Sequence, residues 1–325
     1  MLFGITIGDP SGVGPEILLK AWKNGELRHP VMAYGDLAVL ARCNEVLGYD
    51  VPLRAAKGPA DLRGGFLNVR DFGLLQASDL TPGVLNAKAG AAAREYVIAA
   101  TRAALAGEIS AMVTLPMNKE ATQLSDPDFV GHTELIGSVC GASDVTIMLV
   151  SDALIVTHVS THVSLRTAIE RVKTPRVSKI IELTWRAVER LKPNPRIAVA
   201  GLNPHAGEHG LFGREDIEEI QPAVDWARSH GMPVDGPLPP DTLFYLAVRR
   251  KLYDAIVCMY HDQGHVPLKL LDFEGGVNVA LGLPIIRTSV DHGTAFDIAW
   301  KGVAATASLV AALEFAAKLA GGAGS

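Results

Sequence analysis

Short apolar runs alternate with longer amphipathic stretches along almost all of this 325-residue chain, and that rhythm limits the folds open to it. Leu2–Ile7, Val31–Tyr34, Ala111–Leu115, Arg196–Gly201 and Asp254–Tyr260 read as strands that are apolar almost throughout. Strands of that kind are buried on both faces, as in parallel sheets covered by helices. Between them lie helix-like stretches. One opens at Pro15, where proline suits the first helical turn, and Asp36–Leu47 starts on an aspartate cap. Ala87–Ala106, Pro175–Leu191, Glu215–Ser229 and Val303–Leu319 follow. In Pro175–Leu191 the residues Val177, Ile181, Trp185, Val188 and Leu191 recur at spacings of three and four, which puts them on one helix face. Val277–Ala280 and Ile285–Val290 read as shorter strands. The expected fold is α/β, a mostly parallel sheet flanked by helices. Val145–Val150 and Leu154–His158 flank Ser151-Asp-Ala, a hairpin that interrupts the rhythm and marks a second unit in the middle.

Composition narrows the class of partner. Hydrophobic residues make up 48% and charged residues 20%, the balance of a globular protein, and a net charge of −5 gives no reason to expect nucleic acid. The N-terminus lacks a basic region followed by a long apolar stretch, so it reads as a first strand and not a signal peptide. The Ala-rich segment 88–106 is interrupted by Lys88, Arg94, Glu95 and Arg102, which argues against a membrane span. A cytoplasmic protein is expected, with Cys43, Cys140 and Cys258 unpaired, Cys140 and Cys258 buried, and the tail from Gly321 frayed.

The chemistry gathers where the chain leaves the strands. His162, His205 and His261 each follow a strand-like run. Strand ends are where open α/β sheets place ligands, and three neutral imidazoles meeting there suit a divalent metal with open positions. Nearby, His158 lies within an apolar run and reads as core, and His209 reads as solvated. Arg287 sits inside a strand, so it must be paired or must bind an anion; Lys269 and Asn278 add an ammonium and an amide. His132 and Thr133 open a helix after Gly131, an anion-friendly N-terminus. Gly8-Asp-Pro-Ser-Gly-Val-Gly-Pro-Glu16 turns from a strand into a helix but is neither a dinucleotide fingerprint nor a Walker loop.

That loop, with Gly131-His-Thr-Glu134, Asn203-Pro-His-Ala-Gly-Glu208, Pro239-Pro-Asp241-Thr, Tyr260-His-Asp-Gln-Gly264 and Arg287-Thr-Ser-Val-Asp-His-Gly-Thr-Ala295, resembles the 4-hydroxythreonine-4-phosphate dehydrogenase family of vitamin B6 synthesis. The resemblance runs in order from residue 4 to about residue 303. It implies a two-domain fold of the isocitrate/isopropylmalate dehydrogenase group with a cleft between the domains. Residues 1–130 plus 265–325 would form the nucleotide side, and 131–264 the metal and dimer side. It implies a homodimer whose active sites borrow residues from the partner subunit. It implies one divalent metal (Zn, Mg, Mn or Co) on His162, His205 and His261, and a phosphorylated substrate held by His132, Thr133, Lys269, Asn278 and Arg287. NAD or NADP would sit on Asp291, His292, Gly293, Thr294, Ala295 and Asp297, whose segment resembles the nucleotide loop of isopropylmalate dehydrogenases. No nucleic acid or membrane partner is implied.

The chain departs from the B6 enzymes at one place: after Tyr260-His-Asp-Gln-Gly264 it reads His265-Val-Pro-Leu-Lys269-Leu-Leu271. Together with Val156-Thr-His-Val-Ser-Thr-His162 and Phe296-Asp-Ile-Ala-Trp300, this is similar to a branch that oxidises 4-phospho-D-threonate and 4-phospho-D-erythronate. A further branch acts on aromatic dihydrodiols and lacks the phosphate set that this chain keeps. The implied reaction is oxidation of a C3 hydroxyl followed by decarboxylation, on 4-hydroxy-L-threonine 4-phosphate or, alternatively, on the phospho-sugar acids. Asp241 is the candidate for proton transfer. A metal-dependent hydrolase or aldolase on the same histidines, and a non-catalytic phosphate-binding module, are the competing readings.

Overall fold

The computed structural model describes residues 1–272 and 275–321, so 322–325 of the tail expected to fray lie outside the described residues. The chain divides into two compact units. The first takes Met1–Ser143 and Leu283–Ala320; the second is built from Asp144–Gly282. The division differs from the expected 130/131 and 264/265 boundaries. His132 and Thr133 belong to the first unit, and Lys269 and Asn278 to the second.

The first unit opens with β1 (Phe3–Thr6), α1 (Gly14–Lys23), β2 (Val31–Tyr34), α2 (Leu37–Leu47), β3 (Leu53–Ala55) and β4 (Leu67–Arg70). It continues with α3 (Ala87–Leu105), β5 (Ala111–Thr114), α4 (Lys119–Gln123) and α5 (His132–Cys140). The second unit holds β6 (Thr146–Val150), β7 (Ile155–His158), α6 (Leu165–Arg171), α7 (Thr174–Glu189), β8 (Ile197–Ala200) and α8 (Gln221–Ser229). It ends with β9 (Asp235–Leu238), α9 (Pro240–Val248), β10 (Ala255–Cys258), α10 (His261–Leu271) and β11 (Val277–Leu281). The chain then returns to the first unit through β12 (Arg287–Val290) and α11 (Ala307–Gly321).

In the first unit the strand order is β3-β4-β2-β1-β5-β12, and every pairing is parallel. β1 and β5 are buried along their whole lengths, the outcome expected of strands covered on both faces. In the second unit the order is β11-β6-β7-β10-β8-β9. There β6 runs antiparallel to both β11 and β7, while β7, β10, β8 and β9 are parallel. The β6–β7 hairpin is the one read from the sequence, and the unit begins just before it. The core beneath this sheet gathers Leu149, Val156, Ala198, Leu243, Ile256 and Leu268.

Three local expectations are corrected. Asp36 precedes α2 but makes no cap; its buried carboxylate accepts from the Leu74 N–H at 3.0 Å and the Tyr96 hydroxyl at 2.8 Å, two tertiary partners that outcompete the local one. Glu215–Ser229 is not one α-helix. Asp216–Ile220 forms a widened π turn before α8, because Pro222 offers no N–H to the carbonyl of Glu218 and its ring crowds that oxygen. Cys140, at the last residue of α5, is only half-buried, unlike Cys43 and Cys258; all three are free thiols. No helix among the described residues is long and apolar enough to cross a membrane.

Candidate active site

In the second unit, β7, β10 and β8 lie side by side and parallel, with His158 opposite Cys258 and Val257 opposite Val199. Their C-terminal ends therefore share one edge, and His162, His261 and His205 are the histidines of the three segments that leave it. His162 and His261 line a cavity of about 460 Å³ with Thr161, Ser164, Tyr260 and Asp262, and their ring centroids are 5.6 Å apart. Gln263 ties the start of α10 to the end of β8, donating from its side chain to the Gly201 carbonyl at 2.7 Å.

His205 is held differently. His205, Ala206, Gly207, Glu208 and His209 all have positive φ, between 43° and 83°. For non-glycine residues such backbone costs on the order of 1–2 kcal/mol each, so the surroundings must impose it. Buried Asp216 does so, accepting from the Leu202 N–H at 2.8 Å, the Asn203 N–H at 3.2 Å and Asn203 Nδ2 at 2.9 Å. The His205 ring stands exposed beside Phe212 and is not among the residues lining the His162–His261 cavity. Among the described residues, no three His, Cys, Asp or Glu side chains converge as a metal would require.

The donor chemistry nevertheless fits a metal. His261 Nδ1 is 2.7 Å from Asp262 Oδ1, and His205 Nδ1 is 3.0 Å from Glu208 Oε2. A carboxylate on Nδ1 fixes the tautomer that leaves Nε2 with a lone pair, the arrangement found behind metal-bound histidines. His158 is fully buried, as its apolar run implied. Burial first, and then the neighbouring His265 and His261, hold its pKa at about 3, so it is neutral. Asn278 presents a buried Oδ1 without a partner, Lys269 occupies the last turn of α10, and Asp241 is exposed in the first turn of α9, accepting from the Thr242 N–H at 3.0 Å.

The first unit holds the anion chemistry. Arg287 begins β12, is 3% exposed, and donates from Nε and Nη2 to the Thr114 hydroxyl at 3.1 and 2.7 Å. Burial lowers its pKa to about 10, with Glu134 pulling the other way, so the guanidinium stays charged at neutral pH. His132 heads α5; its Nε2 is sealed without a partner, and burial followed by the Arg287 charge holds its pKa at about 3. Both line a cavity of about 140 Å³ with Thr114, Ser289, His292 and Gly293. Thr133 follows in the same first turn of α5. A buried cation that donates only to a hydroxyl is costly until an anion arrives.

The 291–297 segment packs on the Gly8–Glu16 loop, with the Thr294 carbonyl accepting from the Val13 N–H at 3.0 Å. Ala295 is left-handed at φ 42°, and the Asp297 carbonyl accepts from Lys301 Nζ at 2.7 Å. A side chain on Gly293 would meet nothing, whereas one on Gly12 would press on Thr294 at 3.0 Å. In the same loop is Asp9, which the sequence reading quoted without a role. Its Oδ1 accepts from the Ser11 N–H at 2.8 Å and its Oδ2 is buried without a partner. Burial raises its pKa to about 6 against the backbone N–H groups of Ser11 and Asn118.

A family described as pyridoxal phosphate biosynthetic protein PdxA matches residues 26–316. The D-threonate 4-phosphate dehydrogenase of Salmonella typhimurium is 46% identical over 321 residues, 97% of this chain and 98% of that protein. The 4-hydroxythreonine-4-phosphate dehydrogenase of Desulforapulum autotrophicum is 43% identical over 326 residues, 97% of this chain and 94% of that one. The crystal structure of 4-hydroxythreonine-4-phosphate dehydrogenase from Klebsiella pneumoniae has a TM-score of 0.89 at 42% identity, covering 98% of this chain and 99% of its own.

Proposed function

This chain belongs to the PdxA family, and from that premise we propose that it oxidises the C3 hydroxyl of a 4-phosphorylated hydroxy acid with NAD or NADP, after which the β-keto acid loses carbon dioxide. The named relatives are dehydrogenases, and the chain is accordingly an oxidoreductase, not the hydrolase or aldolase that shares its histidine chemistry. One observation carries the substrate class. Arg287 is buried and charged, its side chain donates to the Thr114 hydroxyl and makes no ion pair within 4 Å among the described residues, and it lies beside a neutral His132 in a small polar cavity, where a phosphate would supply a closer negative charge than Glu134 does.

In this reading His162, His205 and His261 hold one divalent metal. When bound, the metal supplies the positive charge that lowers the pKa of the C3 hydroxyl. Asp291, His292, Gly293, Thr294, Ala295 and Asp297 would hold NAD or NADP, which when bound would supply the hydride acceptor. His132, Thr133 and Arg287 fix the phosphate; Lys269 and Asn278 hold the rest of the substrate. Asp241, exposed at the start of α9, takes the proton.

A homodimer with shared sites fits the surface of the second unit. Leu165 and Ile169 on α6 are 59% and 41% exposed, and Val266 and Leu270 on α10 are 59% and 85% exposed. α6 starts just after His162 and α10 starts at His261, so these apolar pairs flank the metal residues and suit a partner chain.

For the substrate, the resemblance implies 4-hydroxy-L-threonine 4-phosphate, with the phospho-sugar acids as the alternative. The Salmonella typhimurium relative and the strings at 265–271, 156–162 and 296–300 favour 4-phospho-D-threonate. The test is parallel turnover of 4-hydroxy-L-threonine 4-phosphate, 4-phospho-D-threonate and 4-phospho-D-erythronate, followed by nicotinamide absorbance. We expect the highest kcat/KM on 4-phospho-D-threonate. A preference for the amino acid would restore the first reading, and no absorbance change on any of the three would remove the dehydrogenase assignment.

A further inference from the structure

The string that sets this chain apart from the B6 enzymes, residues 265–271, meets the segment 156–162 in space, and each contributes one histidine. His265 Nδ1 lies 3.2 Å from His158 Nε2 and 3.1 Å from the backbone oxygen of His261. A carbonyl only accepts, so the hydrogen resides on His265 Nδ1 and His158 Nε2 turns its lone pair toward it. His158 is fully buried under α10. The approach depends on Gly264, where a Cβ would stand 2.5 Å from His158 Nε2 and 3.0 Å from Cys258 Sγ. On its other side the His265 ring lies flat against His261, with centroids 3.6 Å apart and planes 10° from parallel. Asp262 restrains the same His261 ring through Nδ1.

We propose that His265, anchored on the buried His158, is a positioning residue for His261: its stacked ring fixes the plane in which His261 offers Nε2 to a divalent cation. The proposal rests on the reading of His261 as a metal ligand and adds what holds it.

The experiment titrates Co2+ alone, by calorimetry, into chelator-treated full-length protein. His265→Ala should weaken Co2+ binding roughly 10–100-fold, the cost of removing a group that orients a metal ligand, with an unchanged circular dichroism spectrum. His265→Phe, which returns a flat ring, should recover most of that loss. His265→Asn, which keeps a donor near Nδ1 but has no flat ring, should bind as weakly as alanine and serves in its place if the alanine variant unfolds. Adding His158→Ala to His265→Ala should cost little more, because His158 acts through His265. Wild-type affinity in His265→Ala, while His261→Ala has lost binding, would overturn the positioning role and leave the metal reading standing. Phenylalanine binding no better than alanine would also overturn it. Undiminished binding in His261→Ala would remove the metal reading itself.

Discussion

At the scale of single residues, the anion cavity gives the sharpest expectations. Arg287→Lys exchanges a planar fork for a point charge, and the fork is already committed on one edge to Thr114. KM for the phosphorylated substrate should rise at least tenfold, a loss of about 1.4 kcal/mol or more, with a smaller change in kcat. Steady-state kinetics check it, and an unchanged KM would make the arginine structural. Two neighbours give opposing pH dependences. His132 has its pKa lowered from 6.5 to about 3, so its contribution to stability is whole above about pH 6.5 and is lost as pH falls toward 3. Asp9 has its pKa raised from 3.8 to about 6, so its contribution is whole below about pH 3.8 and is lost as pH rises through 6. Between about pH 7 and 4.5, His132→Gln should therefore lose less stability than wild type and Asp9→Asn should lose more, as read from urea midpoints. A His132→Gln variant with the wild-type pH slope would mean that His132 titrates normally. Arg287 was legible in the sequence because a charge inside an apolar strand demands a partner. Asp9 was not: its string looked like a turn, and only the fold reveals that one of its oxygens is sealed.

At the scale of elements, the strands were legible and the helices that break their own rules were not. β1, β2, β5, β8, β10 and the β6–β7 hairpin announce themselves as apolar runs. α10 has a weak signature in the sequence, because Gly264 and Pro267 both disfavour a helix interior; Gly264 is required there because a Cβ would stand 2.5 Å from His158 Nε2, and Pro267 lies inside the helix at the cost of one backbone hydrogen bond. β3 has three residues, β9 is half-exposed, and β4 alternates apolar with polar residues over only four positions, Leu67-Asn-Val-Arg70, so none carries enough pattern to be seen. The left-handed turn at His205–His209 had no local signature beyond Asn203-Pro-His and a glycine, because its cause is Asp216, further along the chain. Asp216→Ala would leave the N–H groups of Leu202 and Asn203 without their acceptor, while the Asn203 amide keeps Glu215 Oε2 at 2.8 Å. At about 1–3 kcal/mol for each of the two donors, the variant should be destabilised by roughly 2 kcal/mol or more. Amide hydrogen exchange at 205–210 should quicken ahead of the rest of the second unit. Unchanged protection there would show that the turn is held from elsewhere.

At the scale of the whole molecule, pairwise mixing reads out how the three candidate ligands are shared between subunits. His162→Ala, His205→Ala and His261→Ala are each expected to be inactive. If a site draws on two chains, at least one mixture of two variants should recover roughly a quarter of wild-type activity, since about half the dimers are mixed and each then has one intact site. Recovery in no pairing after verified subunit exchange would place all three ligands in one chain. A last consequence follows from the order of the chain. The first unit is built from Met1–Ser143 and Leu283–Ala320, with the whole second unit synthesised in between. Arg287, which charges the anion cavity, and β12, which pairs with β5, therefore leave the ribosome only after the histidine-bearing unit is complete. Since domains fold as units while synthesis proceeds, a nascent chain that stalls midway can present its histidines but no buried guanidinium. Translation itself thus sets the sequence in which the two units come into being, and the proposed phosphate pocket is the later of the two.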